Sequence, residues 1–97
     1  MIRVSVQDGV TRVWPEGGLG IEGVSELQRT IVGGAEDGDV VVDLSSIQIL
    51  SSSAIGALIA GHNALRAKGR RLRVEGVSAG IRHLMRMMGL DRHFDIA

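Results

Sequence analysis

The chain has 97 residues, 11 basic and 11 acidic side chains, a formal net charge of zero and no cysteine. That length fits one domain with a modest core, and the missing thiols exclude disulfides and thiolate metal sites. The opening Met1-Ile-Arg-Val-Ser-Val carries an early charge and no long apolar run, so no signal peptide is read there, and no stretch reaches the ~20 apolar residues of a membrane-spanning helix.

Ile2, Val4 and Val6 alternate with polar residues, the period of a half-buried strand. Asp8-Gly9 is a two-residue hairpin signal, and Val10 to Trp14 is the returning strand, stopped by Pro15. A glycine-rich loop spans Glu16 to Gly20. A helix is expected over Glu22 to Val32, with Ile21, Val24, Leu27 and Ile31 on one apolar face and Gly33-Gly34 at its end. Glu22 and Glu26 sit in its first turns, where the helix dipole favours acids.

Val40 to Leu44 is an almost unbroken apolar run, as in a central strand buried on both faces. Ile47, Ile49 and Leu50 lead from it into Ser51-Ser52-Ser53. The next helix is expected from about Ser53 to Lys68, with Ile55, Leu58, Ile59 and Leu65 inward and Gly69 just past its end. Arg71 to Glu75 alternates as a strand. Ser78 is expected to cap a last helix over Ala79 to Met88, whose core stripe is Ile81, Leu84, Met85 and Met88 and which Gly89 closes. The order β-β-α-β-α-β-α predicts an α/β layer fold with a mixed sheet of about four strands.

The charge is unevenly spread. Residues 1–43 carry three basic and eight acidic side chains, and residues 44–97 carry eight basic and three acidic. The cluster Arg66, Lys68, Arg70, Arg71 and Arg73 reads as a solvated helix end and an edge strand. Nucleic acid is not an expected partner, because only Trp14 and Phe94 could stack on bases. No enzyme pattern stands out. His62, His83 and His93 have no ligand or carboxylate at helical spacing, Gly17-Gly18-Leu-Gly20 lacks the Lys-Ser/Thr of a phosphate loop, and no nucleophile elbow is present. No metal and no cofactor are expected. Met85, Met87 and Met88 fill core gaps, with Met87 the one expected on an adaptable surface.

The three serines carry the functional signal. A helix start has unpaired N–H groups and a partial positive charge, so it accepts a cap and tolerates a phosphate. One serine is enough for a cap, worth about 1 kcal/mol. The other two hydroxyls are left without a structural task.

Asp43-Leu-Ser-Ser-Ile-Gln-Ile-Leu-Ser-Ser-Ser-Ala-Ile-Gly-Ala-Leu58 resembles the STAS-domain pattern Asp-Leu-Ser-x-Val-x-x-Ile-Asp-Ser-Ser-Gly-Leu-Gly-x-Leu. The stretch from Gly76 to Phe94, ending in Gly-Leu-Asp-x-x-Phe, is similar to that family's last helix. The resemblance covers nearly the whole chain. It implies the STAS fold and the work of an anti-sigma-factor antagonist, a cytoplasmic bacterial regulator of transcription. Such a protein binds a serine-kinase anti-sigma factor, is released when the kinase phosphorylates it, and is restored by a serine phosphatase. The aligned acceptor is Ser52, with Ser51 and Ser53 as alternatives. The implied partner surface comprises Ser51, Ser52, Ser53 and Ala54, with Glu16 or Glu22 supplying an acidic group and Met87 joining it. The chain departs from the pattern in three places: Ser51 replaces an acidic residue, Ala54 replaces a glycine, and Pro15 to Glu22 lacks the family's Gly-Glu-Leu-Asp. The alternative is a non-switching STAS subunit of a larger assembly, stressosome-like or part of a lipid-transport ATPase.

Overall fold

The computed structural model describes residues 2–17 and 19–97. Met1, at the head of the expected first strand, and Gly18, in the glycine-rich loop, lie outside the described residues. The elements are β1 (Ile2–Gln7), β2 (Val10–Pro15), α1 (Ile21–Gly34), β3 (Asp39–Asp43), α2 (Ser52–Ala67), β4 (Leu72–Glu75), α3 (Ala79–Met87), a 3₁₀ turn over Leu90–Arg92, and β5 (Asp95–Ile96).

The sheet runs β1-β2-β3-β4-β5, with β1 antiparallel to β2 and every other pair parallel. The β1–β2 hairpin turns at Asp8 and Gly9, both with positive φ (54° and 77°). That backbone is what a two-residue turn requires and what Asp-Gly supplies most readily. The remaining connections are crossovers. Right-handed crossovers that always step the same way put α1, α2 and α3 on one face of the sheet.

The registers agree with a one-sided core. Thr11, Val40 and Leu72 form one row across β2, β3 and β4, and Val13, Val42 and Val74 form the next. All six are buried. The five apolar ones join Leu27, Ile31, Leu58, Leu65, Ile81 and Met85 of the helices in one apolar cluster. The alternate row, Arg12, Val41, Arg73 and Asp95, lies on the other face.

Several sequence expectations change here. The sheet has five strands rather than about four. β5 is two residues long, too short for alternation to reveal. It is held where Ala97 N–H donates to the Val74 carbonyl at 2.8 Å and the Arg82 guanidinium donates to the Ala97 carbonyl at 2.6 Å. β3 is buried on both faces as expected, but helices cover only one of them: on the other, Val41, 9% exposed, lies between Arg12 and Arg73 in register. The stems of long charged side chains cover apolar surface well. Val4 and Val6 point to the core side but are exposed, because β1 is the sheet edge beyond the helix layer. Ile21, Leu84 and Met88 are exposed, each near a helix end where the apolar stripe runs past its cover. Helix bounds move by one or two residues, as helix ends do.

α2 lies flush against α1 because position 61 has no side chain. A Cβ there would come within 2.5 Å of Ile31 Cγ2 and 3.2 Å of Ile31 Cβ. Gly56, on the same helix, meets nothing within 4 Å. Gly61→Ala is therefore expected to destabilise the protein by about 1–3 kcal/mol through overpacking, despite its better helix propensity. Gly56→Ala is expected to be neutral or to stabilise by about 0.5–1 kcal/mol. Urea unfolding of both variants checks the contrast.

Candidate functional site

The site forms at the carboxyl ends of the parallel strands, where α1, α2 and α3 all begin. Helix N-termini present free N–H groups and positive potential there.

The connection from β3 to α2 is anchored at both ends. Leu44 N–H donates to the Glu75 carbonyl at 2.8 Å, which ties the strand end to β4. Asp43 Oδ1 accepts from Ser45 N–H at 2.9 Å, and Ile47 N–H donates to the Leu44 carbonyl at 2.9 Å. Leu44, Ile47 and Leu50 are buried, and Ile49 between them is 85% exposed. Gly76 closes the loop beside it. Its φ is +69°, and a Cβ there would meet Asp43 Oδ1 at 2.9 Å and Ser45 N at 3.0 Å.

Ser51 is the N-cap of α2. Its backbone is extended (φ −72°, ψ 161°), and its hydroxyl accepts from Ala54 N–H at 3.1 Å. α3 is capped in the same way by the lone Ser78, which accepts from Ile81 N–H at 3.2 Å. One serine thus does for α3 what Ser51 does for α2. Ser52 and Ser53 occupy the first two helical positions, one place earlier than the sequence suggested for Ser52. Both are exposed, and neither hydroxyl makes a hydrogen bond among the described residues.

The other expected surface residues separate. Ala54 is fully buried and contributes only its capped N–H. Glu16 lies in the β2–α1 loop and pairs with Arg3 at 3.0 Å. Glu22 is exposed in the first turn of α1, at the same end of the sheet as the serines. Met87 is 74% exposed but sits in the last turn of α3, toward the amino ends of the strands. Two apolar residues at the serine end were missed as surface. They are Ile49 and Ile21, the latter 89% exposed at the first position of α1. The one available signal for Ile49 was that Ile47 and Leu50 already anchor that short connection.

Asp43 anchors the charge at this end. Burial pushes its carboxyl up, but hydrogen bonding from Ser45 and the nearby Arg12 charge outweigh it and hold the group below its ordinary value. Arg12 bridges two strands, meeting Glu75 Oε2 at 2.9 Å and Asp43 Oδ2 at 3.6 Å, and its guanidinium lies 5.7 Å from the Trp14 ring centre. Among the described residues no group of three or more His, Cys, Asp or Glu is placed to hold a metal ion. No helix of the described residues is long and apolar enough to cross a membrane.

Two outcomes follow from this geometry. Ser51→Ala removes the cap of α2 and is expected to cost about 1 kcal/mol in urea unfolding, whereas Ser52→Ala and Ser53→Ala change stability by under about 0.5 kcal/mol. A carboxylate with a depressed folded-state pKa stabilises above its unfolded pKa and loses that contribution as pH falls through the folded one. Asp43→Asn is therefore expected to destabilise by about 1 kcal/mol at neutral pH. The gap to the parent protein should close on acidification below about pH 4, read by unfolding across pH.

The family model described as "Mlab, STAS domain" matches residues 2–96. No curated protein matches the chain. Solved structures with the same architecture include a putative anti-sigma factor antagonist from Thermotoga maritima, 16% identical with a TM-score of 0.86, covering 98% of this chain and 84% of that one. An anti-sigma factor antagonist from Mycobacterium paratuberculosis is 24% identical, with a TM-score of 0.82 over 99% of this chain and 83% of that one. The phosphorylated form of the Bacillus cell fate determinant SpoIIAA is 16% identical, with a TM-score of 0.79 over 100% of this chain and 91% of that one. At these identities the structural likeness speaks for the fold, and the family match, spanning nearly every residue, places this chain in the STAS-domain family.

Proposed function

We propose that this protein is an anti-sigma-factor antagonist that works by partner switching. In this reading it binds a serine-kinase anti-sigma factor through the carboxyl-end surface, is released when Ser52 is phosphorylated, and is restored by a serine phosphatase. The observation that carries it is the state of the serine triplet. Ser51 alone caps α2, and Ser52 stands exposed at the first helical position with its hydroxyl unused.

Physical chemistry supports the switch. A phosphate on Ser52 adds about −1.5 to −2 charge beside the N–H groups of the first turn, where the helix dipole favours an anion. The domain itself tolerates the charge. A partner pressed against Ile49 and Ile21 does not, because a desolvated apolar contact has no place for a hydrated dianion. Exposed apolar side chains beside a polar rim are the usual anatomy of a contact surface.

Incubation with the serine-kinase anti-sigma factor and ATP, followed by mass mapping, is expected to place phosphate on Ser52. Phosphate on none of Ser51, Ser52 and Ser53, together with no binding of such a kinase, would sink the proposal. Ser52→Asp is expected to weaken binding at least tenfold with the circular dichroism spectrum unchanged. Ile49→Asp is expected to weaken it by roughly tenfold, the scale of losing one buried anchor. The second reading is a non-switching STAS subunit of a larger assembly. It is favoured by Ser51 standing where the antagonists' pattern has an acidic residue. It predicts full-strength assembly by Ser52→Asp.

A further inference from the structure

The opposite end of the molecule holds a second candidate site, unconnected with the serines. The last turn of α2, the loop after it, and the segment from the 3₁₀ turn to β5 enclose an open pocket of about 510 Å³. Arg66, Arg70, Arg71 and Arg92 line it, with His62 and His93. Leu72 and Phe94, both buried, supply an apolar floor. The His62 ring is tilted against Phe94 at 5.7 Å and against His93 at 6.0 Å.

The arginines are short of partners. Asp91 and Asp95 also line the pocket, and Arg71 meets Asp95 only at 3.9 Å. Among the described residues Arg66, Arg70 and Arg92 form no ion pair and no side-chain hydrogen bond. Lys68, next in sequence, does find an acid, Glu36, on the far side of the helix end. A merely solvated helix end gains nothing from bringing unpaired like charges into one concavity, where they repel. An anion reverses the sign of that term. Arginine is also the side chain whose planar fork matches phosphate oxygens in pairs.

We propose that this pocket binds a compact anion bearing two linked phosphates, held by Arg66, Arg70 and Arg92 and seated on Leu72 and Phe94. Four guanidiniums against two carboxylates leave the lining with an excess of positive charge, which favours an anion carrying more than one negative charge. The shared chemistry has two sources, free pyrophosphate or the headgroup of a lipid that carries two phosphates. His62 gives the site a pH response. Burial first, then the charges of His93 and Arg66, hold its pKa below the ordinary value. The groups facing it are His93, Arg66, Arg70, Arg71 and Arg92, with Asp91 and Asp95 at the rim. A bound anion favours the protonated imidazole, so binding is expected to raise the His62 pKa.

Titration of the full chain with inorganic pyrophosphate, followed by calorimetry and by amide and imidazole NMR, tests this. Saturable binding is expected, with shifts confined to residues around His62, Arg66, Arg70 and Arg92. Arg70→Gln and Arg66→Gln are expected to weaken it roughly ten- to a hundredfold each, the scale of one charge-assisted contact. Ser52→Asp should leave it unchanged, which keeps this test separate from the partner switch. Co-sedimentation with phosphatidylcholine vesicles containing cardiolipin, competed by pyrophosphate, would assign the lipid source. Pyrophosphate binding without vesicle binding would assign the free one. Non-saturating shifts spread over all surface arginines, or binding indifferent to both Arg→Gln changes, would overturn the site.

Discussion

The seating of α2 holds the rest of the molecule in place. This helix lies against α1 through a position that has no side chain, Gly61, and against the sheet through Leu58 and Leu65. Its sixteen residues span about 24 Å. One end therefore fixes where Ser51 to Ser53 stand, and the other fixes where His62 and Arg66 stand. Close packing makes that rod stiff, because interiors at crystal-like density do not deform smoothly. A side chain added at the crossing would displace both ends together.

The second constraint is the single helix layer. Five strands carry helices on one face, and the other face is built from side chains alone. Arg12 is central to it, reaching acids on β3 and β4 and lying over Trp14. Such half-exposed pairs contribute little stability individually. Their main effect is to shield Val41 and to keep the open face polar, so that the apolar rows face the helices. Large exposed apolar side chains are Val4 and Val6 along β1, Ile21 and Ile49 beside the serines, Val32 on α1, Leu84 and Met87 on α3, and Met88 just past its end.

Much of this was legible in the residues, for identifiable reasons. Strand and helix periods, the Asp8-Gly9 turn and the Ser78 cap are local signals, and each sits in a local structure that uses it. Gly69 and Gly89 do take the left-handed backbone past the ends of α2 and α3. What stayed hidden depended on tertiary cover. Ile21, Leu84 and Met88 satisfy the helical period but project where no layer reaches, and periodicity cannot say how far a neighbour extends. β5 is fixed by β4 and by Arg82 rather than by its own two residues. At the candidate site, local reasoning found that one cap suffices but not which serine provides it. The choice of Ser51 follows from where Leu50 is buried, since that anchor sets the first turn.

The strand order has a consequence for assembly. Every pairing in the sheet joins strands adjacent in the chain, so no strand must insert between two already formed. Each β-α-β unit closes a loop of modest length, which limits the entropy lost at each step. A chain emerging from its amino end can add one strand and one helix at a time to a growing edge. In such an order the short segment carrying Phe94 and Asp95 joins once β4 is in place, adding a fifth strand and a buried aromatic to the apolar cluster together.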